Sequence, residues 1–177
     1  KPSKLEKLPK KWKGRIGPSL ADPKYNFTSK PVIIEGVEKT QELGYSIIKL
    51  FVPESKLEEG TGNALSYYYN SDWQLKKGMS LKAVLAHPYF KKCFTSGIKT
   101  FALDCTHGWD ALRYREPNVS MEVIEQEMYD AVKYLLSEYK ERNVTFILQN
   151  WEGDWHLRGE VSEWSKKGAP DKWQANA

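Results

Sequence analysis

Cysteine is scarce in this chain. Cys93 and Cys105 are the only two in 177 residues, too few for a disulfide framework, and no CxxC pair or His/Cys cluster offers the spacing of a structural metal site. No metal is therefore expected. No run of eighteen or so apolar residues occurs, so no membrane span is expected either, and nothing in the sequence reads as a signal peptide. Neither the dinucleotide fingerprint GxGxxG nor the phosphate loop GxxxxGK[ST] follows any strand-like run, which argues against a nucleotide-binding doubly wound fold and against a nucleotide cofactor. Charge of one sign is also lacking: Lys+Arg 27 against Asp+Glu 23 leaves a net charge of +4. The one dense basic run is Lys1, Lys4, Lys7, Lys10, Lys11 and Lys13. Residues 1–14 are read as a solvated basic tail, and no nucleic-acid partner is expected. A first residue of Lys1 rather than Met leads to the expectation of a processed or excerpted chain. Three sequons, at Asn26, Asn118 and Asn143, have equally plain turn or cap readings.

Aromatic side chains are what the sequence has in quantity: 13% Phe, Trp and Tyr, with seven Trp. Several sit in polar, loop-like stretches such as Tyr67-Tyr68-Tyr69-Asn70-Ser71-Asp72-Trp73 and Trp151-Glu152-Gly153-Asp154-Trp155. A core has no use for them there, so they suggest a binding cleft, or else a cover over the rim of the fold.

The chain length fits one domain or a piece of one. A short strand is expected to begin at Arg15-Ile16-Gly17-Pro18. Residues 31–43 read as a helix, with Pro31 in the first turn, apolar Val32, Ile33 and Val37, and a stop at Gly44. Residues 46–52 form a β-rich apolar run bounded by Gly44 and Pro53, which suits a buried parallel strand. The long Gly, Asn, Ser and Tyr-rich stretch from 53 to 78 reads as a functional loop. Ser80 caps a helix that Pro88 restarts or kinks and Gly97 ends, and residues 99–105 form a third strand with Asp104 near its carboxyl end. From Ser120 a helix carries Val123, Ile124, Met128, Ala131, Val132, Leu135, Leu136 and Tyr139 on one stripe, up to a stop at Asn143. Residues 144–150 are the fourth strand.

Alternating strands and helices predict the α/β class with a parallel sheet. Polar and aromatic residues collect after the strand ends, where a (β/α)8 TIM barrel builds its active face. Such barrels need roughly 250 residues, and only about four βα units can be read here. Residues 15–177 are accordingly expected to be the amino-terminal half of a barrel whose partner is the missing carboxyl-terminal half-barrel.

The fourth strand ends in Asn150-Trp151-Glu152, which sets an amide and a carboxylate two residues apart, on one face if the extended geometry persists. Glycoside hydrolysis needs such a carboxyl group to protonate the leaving oxygen. Flanking Trp rings would exclude water and raise that acid's pKa, and Asn can bind a sugar 2-hydroxyl. This motif, with Leu43-Gly44-Tyr45-Ser46-Ile47-Ile48-Lys49 leading the second strand, resembles the (β/α)8 retaining glycoside hydrolases of the cellulase-like superfamily. The resemblance implies that Glu152 is the acid/base and Asn150 the 2-hydroxyl partner, and that Lys49 stands where many members hold a basic residue; Trp151 and Trp155 are the flanking rings read as substrate-binding. The family usually has Asn and Glu adjacent; Trp151 separates them here, so the strand end bulges or the roles change. The nucleophile expected on a seventh strand is not in the sequence.

Each of these residues has a plainer reading beside the functional one. Glu152 either donates a proton or caps a turn or pairs with Arg158, and Asp154 is the rival carboxylate. Asp104 orients a substrate or Lys49, or caps a loop. Lys49 is catalytic, or a partner in a buried ion pair. His107 and Trp109 line a subsite or pack a turn. The expected function is hydrolysis of O-glycosyl bonds in a carbohydrate substrate, with no cofactor and with secretion or a periplasmic location compatible with it. The chain by itself is expected to be inactive. The alternative is a non-catalytic carbohydrate-binding protein on the same barrel fold.

Overall fold

Residues 9–12, 14–20, 27–52, 79–105 and 120–149 are described by the computed structural model. They hold four strands, β1 (Ser19–Leu20), β2 (Ile47–Val52), β3 (Thr100–Cys105) and β4 (Thr145–Gln149), and four helices, α1 (Val32–Glu42), α2 (Leu81–Leu85), α3 (Pro88–Phe94) and α4 (Met121–Tyr139). A 3₁₀ turn at Lys10–Trp12 lies within the basic amino-terminal run. The chain is an α/β protein: its four strands form one parallel sheet in the order β1-β2-β3-β4. Each strand thus lies beside the one before it. With crossovers of one hand, that order delivers every helix to the same face of the sheet.

The registers sort the side chains by face. Ile48, Phe101 and Phe146 are in line across β2, β3 and β4, and Leu50, Leu103 and Leu148 form the next row. These rows meet the helices: Ile33 and Val37 of α1, Leu81 and Leu85 of α2, Phe90 and Phe94 of α3, and Ala131 and Leu135 of α4 join them in one buried cluster. Each such side chain, fully buried, contributes roughly 1.5–3 kcal/mol. Phe94 is the hub, with ring centroids 5.1 Å from Phe101, 4.9 Å from Phe146, 5.5 Å from Tyr139 and 5.5 Å from Phe90. The opposite face carries the rows Lys49, Ala102, Ile147 and Phe51, Asp104, Gln149. None of these six belongs to the buried cluster.

Local chemistry accounts for most boundaries. Gly44 takes φ +88, which only glycine adopts at little cost. Its N–H donates to the Gln41 carbonyl at 2.9 Å and that of Tyr45 to Thr40 at 3.1 Å, so α1 closes in a Schellman motif. Ser80 Oγ accepts from Ala83 N–H at 3.2 Å and caps α2. Pro88 restarts the helix rather than kinking it: α2 stops at Leu85, and His87 Nδ1 accepts from Tyr89 N–H at 3.1 Å to cap α3. α3 ends at Phe94, before Gly97.

Three expectations need correction. The first strand does not begin at Arg15-Ile16-Gly17-Pro18 but at Ser19. Pro18 has no N–H for a ladder and enters only through its carbonyl, which accepts from Lys49 N–H at 3.0 Å. Gly17 passes so close to the Ile47 carbonyl that a Cβ there would overlap it. Ser120 sits at the N-cap position of α4, yet its hydroxyl bonds Glu122 at 2.7 Å instead of a backbone N–H, and the helix ends at Tyr139 rather than at Asn143. The inward face of α4 follows the expected stripe but is narrower, losing Val123 and Leu136 and gaining Glu127. Ile124, Glu127, Ala131, Leu135 and Tyr139 are buried, whereas Val123 is 44% and Leu136 66% exposed. Glu127 joins that face through a polar bond: its Oε1 accepts from Leu81 N–H at 2.7 Å and caps the start of α2 from another helix.

Glu35, in the first turn of α1, is the other buried carboxylate on the helix side. It accepts from Phe27 N–H at 2.9 Å, and this bond above all holds its carboxyl below its ordinary value of 4.5. A depressed folded-state pKa contributes stability that is present above pH 4.5 and is lost as pH falls through the lower folded value. Glu35→Gln should therefore flatten the acid limb of a melting-temperature profile below about pH 4.5. The limb should not vanish, because the Ser120 hydroxyl lowers Glu122 in the same way. An unchanged acid limb in the variant would disprove the assignment.

Candidate functional site

Strand alternation decides which side chains can meet at the face away from the helices. In β2, Ile48, Leu50 and Val52 point into the cluster, which leaves Ile47, Lys49 and Phe51 on the other side. In β3 the same alternation puts Ala102 and Asp104 there. Asp104 is only 1% exposed, and the Lys49 side chain is 28% exposed. Lys49 Nζ lies 2.8 Å from Asp104 Oδ2 and 4.9 Å from the centre of the Phe51 ring. The ammonium is therefore held between a carboxylate and an aromatic face, a pairing of charge–charge and cation–π attraction at a partly dry site. Asp104 Oδ1 is buried and accepts no hydrogen bond. Gln149 stands in register with Asp104 on β4 and is exposed.

Phe51, Asp104 and Gln149 lie at or near the carboxyl ends of parallel strands, and Lys49, at mid-strand, reaches Asp104 with its ammonium. The sequence singled out Lys49 and Asp104 separately, and the fold brings them together. Phe51 and Gln149 were missed. Their signal was present: counting in twos from Lys49, and alignment of the strand ends, puts both beside the ion pair. Asn150, Trp151, Glu152, Asp154, Trp155, His107 and Trp109 lie outside the described residues, as do Tyr67, Tyr68, Tyr69 and Trp73.

Other groups with possible chemistry fare worse. Cys105, next to Asp104 in sequence, is buried on the helix side, and burial, aided by the Asp104 charge, pushes its thiol up to about 12. Cys93 is likewise pushed up to about 12 by burial. Neither thiol is a nucleophile near neutral pH. Cys93 lies at the wall of a cleft of about 290 Å³ between α1 and α3, whose other lining includes Ile34, Val37, Glu38, Gln41 and Lys92. None of its lining residues lies on a strand. Among the described residues no group of three or more His, Cys, Asp and Glu side chains could hold a metal ion, and no helix is long and apolar enough to cross a membrane.

Fold and site together define an α/β protein with a sequentially ordered parallel sheet and a Lys–Asp pair on the face away from the described helices. Comparison with protein-family models, with curated proteins and with solved structures finds no match for the chain.

Proposed function

We propose that the chain is the amino-terminal half of a (β/α)8 barrel that hydrolyses glycosidic bonds, with Glu152 as the acid/base of a retaining mechanism. The observation that carries this reading is the strand order. Barrels add strands in sequence and keep their helices outside, with catalytic groups at the carboxyl ends; here β4 is the fourth strand of such a series and ends at Gln149, three residues before Glu152. A doubly wound sheet would instead reverse its order at a switch point. The state of β4 also supports further strands beyond it. Among the described residues β4 is a sheet edge, and Ile147 on its uncovered face is 48% exposed.

In the mechanism so proposed, Glu152 gives its proton to the leaving oxygen and later takes one from water, while a carboxylate of the missing half forms and releases the glycosyl ester. Asn150 would bind the 2-hydroxyl. Trp151 and Trp155 would stack on sugar C–H surfaces and keep the acid protonated by excluding water. Glu152→Gln in the complete protein should abolish hydrolysis of unactivated glycosides while leaving oligosaccharide binding in place, as calorimetry would show. Retained hydrolysis would remove Glu152 from the mechanism. Wild-type protein that binds sugars but hydrolyses none would favour a non-catalytic carbohydrate-binding barrel.

A further inference from the structure

The outward side of α4 carries a stripe that the core does not use. Tyr129 is 57% and Leu136 66% exposed, Val132 beside them is half-buried, and Glu125, Lys133 and Lys140 are exposed. In helical projection these six residues fall on one strip, centred about a third of a turn from the buried Ile124, Ala131 and Leu135. The strip is roughly 22 Å long at the α-helical rise. Tyr129, Val132 and Leu136 stand at i, i+3 and i+7, the spacing by which one helix anchors on another surface. Its charges are ordered, with Glu125 toward the amino end of the helix and Lys140 at the carboxyl end. Neither of those two has an ion-pair partner among the described residues.

We propose that this stripe docks on the same stripe of a second copy of the chain, the two α4 helices running antiparallel about a two-fold axis between Val132 and Lys133. Charge complementarity carries the choice of occupant. Reversal about that midpoint sets Tyr129 against Leu136 of the second copy and Glu125 against Lys140, and each contact occurs twice, as an isologous interface requires. Apolar contact thus lies between two ion pairs. A parallel pair would instead set Glu125 on Glu125 and Lys140 on Lys140, which like-charge repulsion opposes. Lys133 leans over its own Tyr129, with Nζ 5.6 Å from the ring centre, which in an antiparallel pair carries the two ammonium groups apart at the axis. A wholly acidic or wholly basic partner would match one end of the stripe and repel the other, whereas the stripe read backwards matches both. The contact is small, below about 1,200 Å² in total, so a weak dimer of micromolar affinity is expected. It uses neither the β4 edge nor the strand ends and does not depend on the glycosidase reading.

The test is sedimentation equilibrium of the complete protein over a range of about 5 to 500 μM. The wild type should dimerise within that range. Glu125→Lys and Lys140→Glu, each alone, should weaken the dimer about tenfold or more, because each sets two like-charged contacts in place of two ion pairs. Mixed in equal amounts, the two variants should pair with each other to within about threefold of the wild-type affinity, since opposite charges then meet at both ends. Leu136→Glu, at an exposed position, should weaken the dimer about tenfold as well. A wild-type protein that stays monomeric at the highest concentration overturns the proposal and leaves the stripe to another segment or partner. Dimers that Leu136→Glu leaves intact also overturn it, placing the contact elsewhere, as at the β4 edge. So does a mixture of the two charge variants that associates no better than either alone.

Discussion

Phe94→Ala should destabilise the protein by about 3–5 kcal/mol, the range for deleting a fully buried aromatic ring. Its ring is 1% exposed and touches four others, two on strands and two on helices. The loss has two parts: the transfer energy of the ring, and a cavity bounded by elements that cannot all close around it. β3 and β4 are fixed by their ladder, and α4 is held by the Glu127 bond to Leu81. For a domain of this size the drop corresponds to a fall in melting temperature of about 8–15 °C. Phe94→Leu keeps most of the apolar area but loses the edge-to-face contacts, so a cost of about 1–2 kcal/mol is expected. Equal melting temperatures for the Ala and Leu variants would show that the ring is not the hub.

Lys49→Met should cost about 2–4 kcal/mol at neutral pH, because it strands the Asp104 charge in a dry place. The figure is set below that for a wholly buried pair because Lys49 keeps contact with solvent. The double variant Lys49→Met/Asp104→Leu should recover most of the loss, since an apolar pair of similar volume needs no desolvation of charge. Chemical denaturation of the four proteins gives the coupling energy directly. Recovery in the double variant would mean that the ion pair is retained for something other than stability. Additive losses would mean that the two side chains do not stabilise each other.

Much of this arrangement is legible in the sequence where a residue acts through its own backbone. Gly44 ends α1, Ser80 starts α2 and Pro88 starts α3, and in each case the chemistry is local to the residue. The strands at 47–52 and 100–105 stand out as apolar runs. What could not be read was decided at a distance. The burial of Glu127 on α4 goes with its bond to the backbone of α2, 46 residues earlier. The start of β1 depends on how closely residue 17 passes Ile47. At the site, Lys49 stood out through the resemblance and Asp104 through its place near the carboxyl end of its strand. Phe51 was passed over because an aromatic in an apolar run reads as core, and only the parity of β2 turns it toward the ion pair.

The sequential strand order carries a consequence for how the molecule is made. Partners in adjacent strands are separated by about 30 to 50 residues at every step of the sheet. Loop-closure entropy changes by only about 0.5 kcal/mol over that range, so no single joining event dominates the others. Each strand can dock on its predecessor soon after it leaves the ribosome, with its helix sealing the same side. Synthesis from the amino end thus builds the sheet outward like successive staves, and the edge on offer to the next arrival is always the most recently added one.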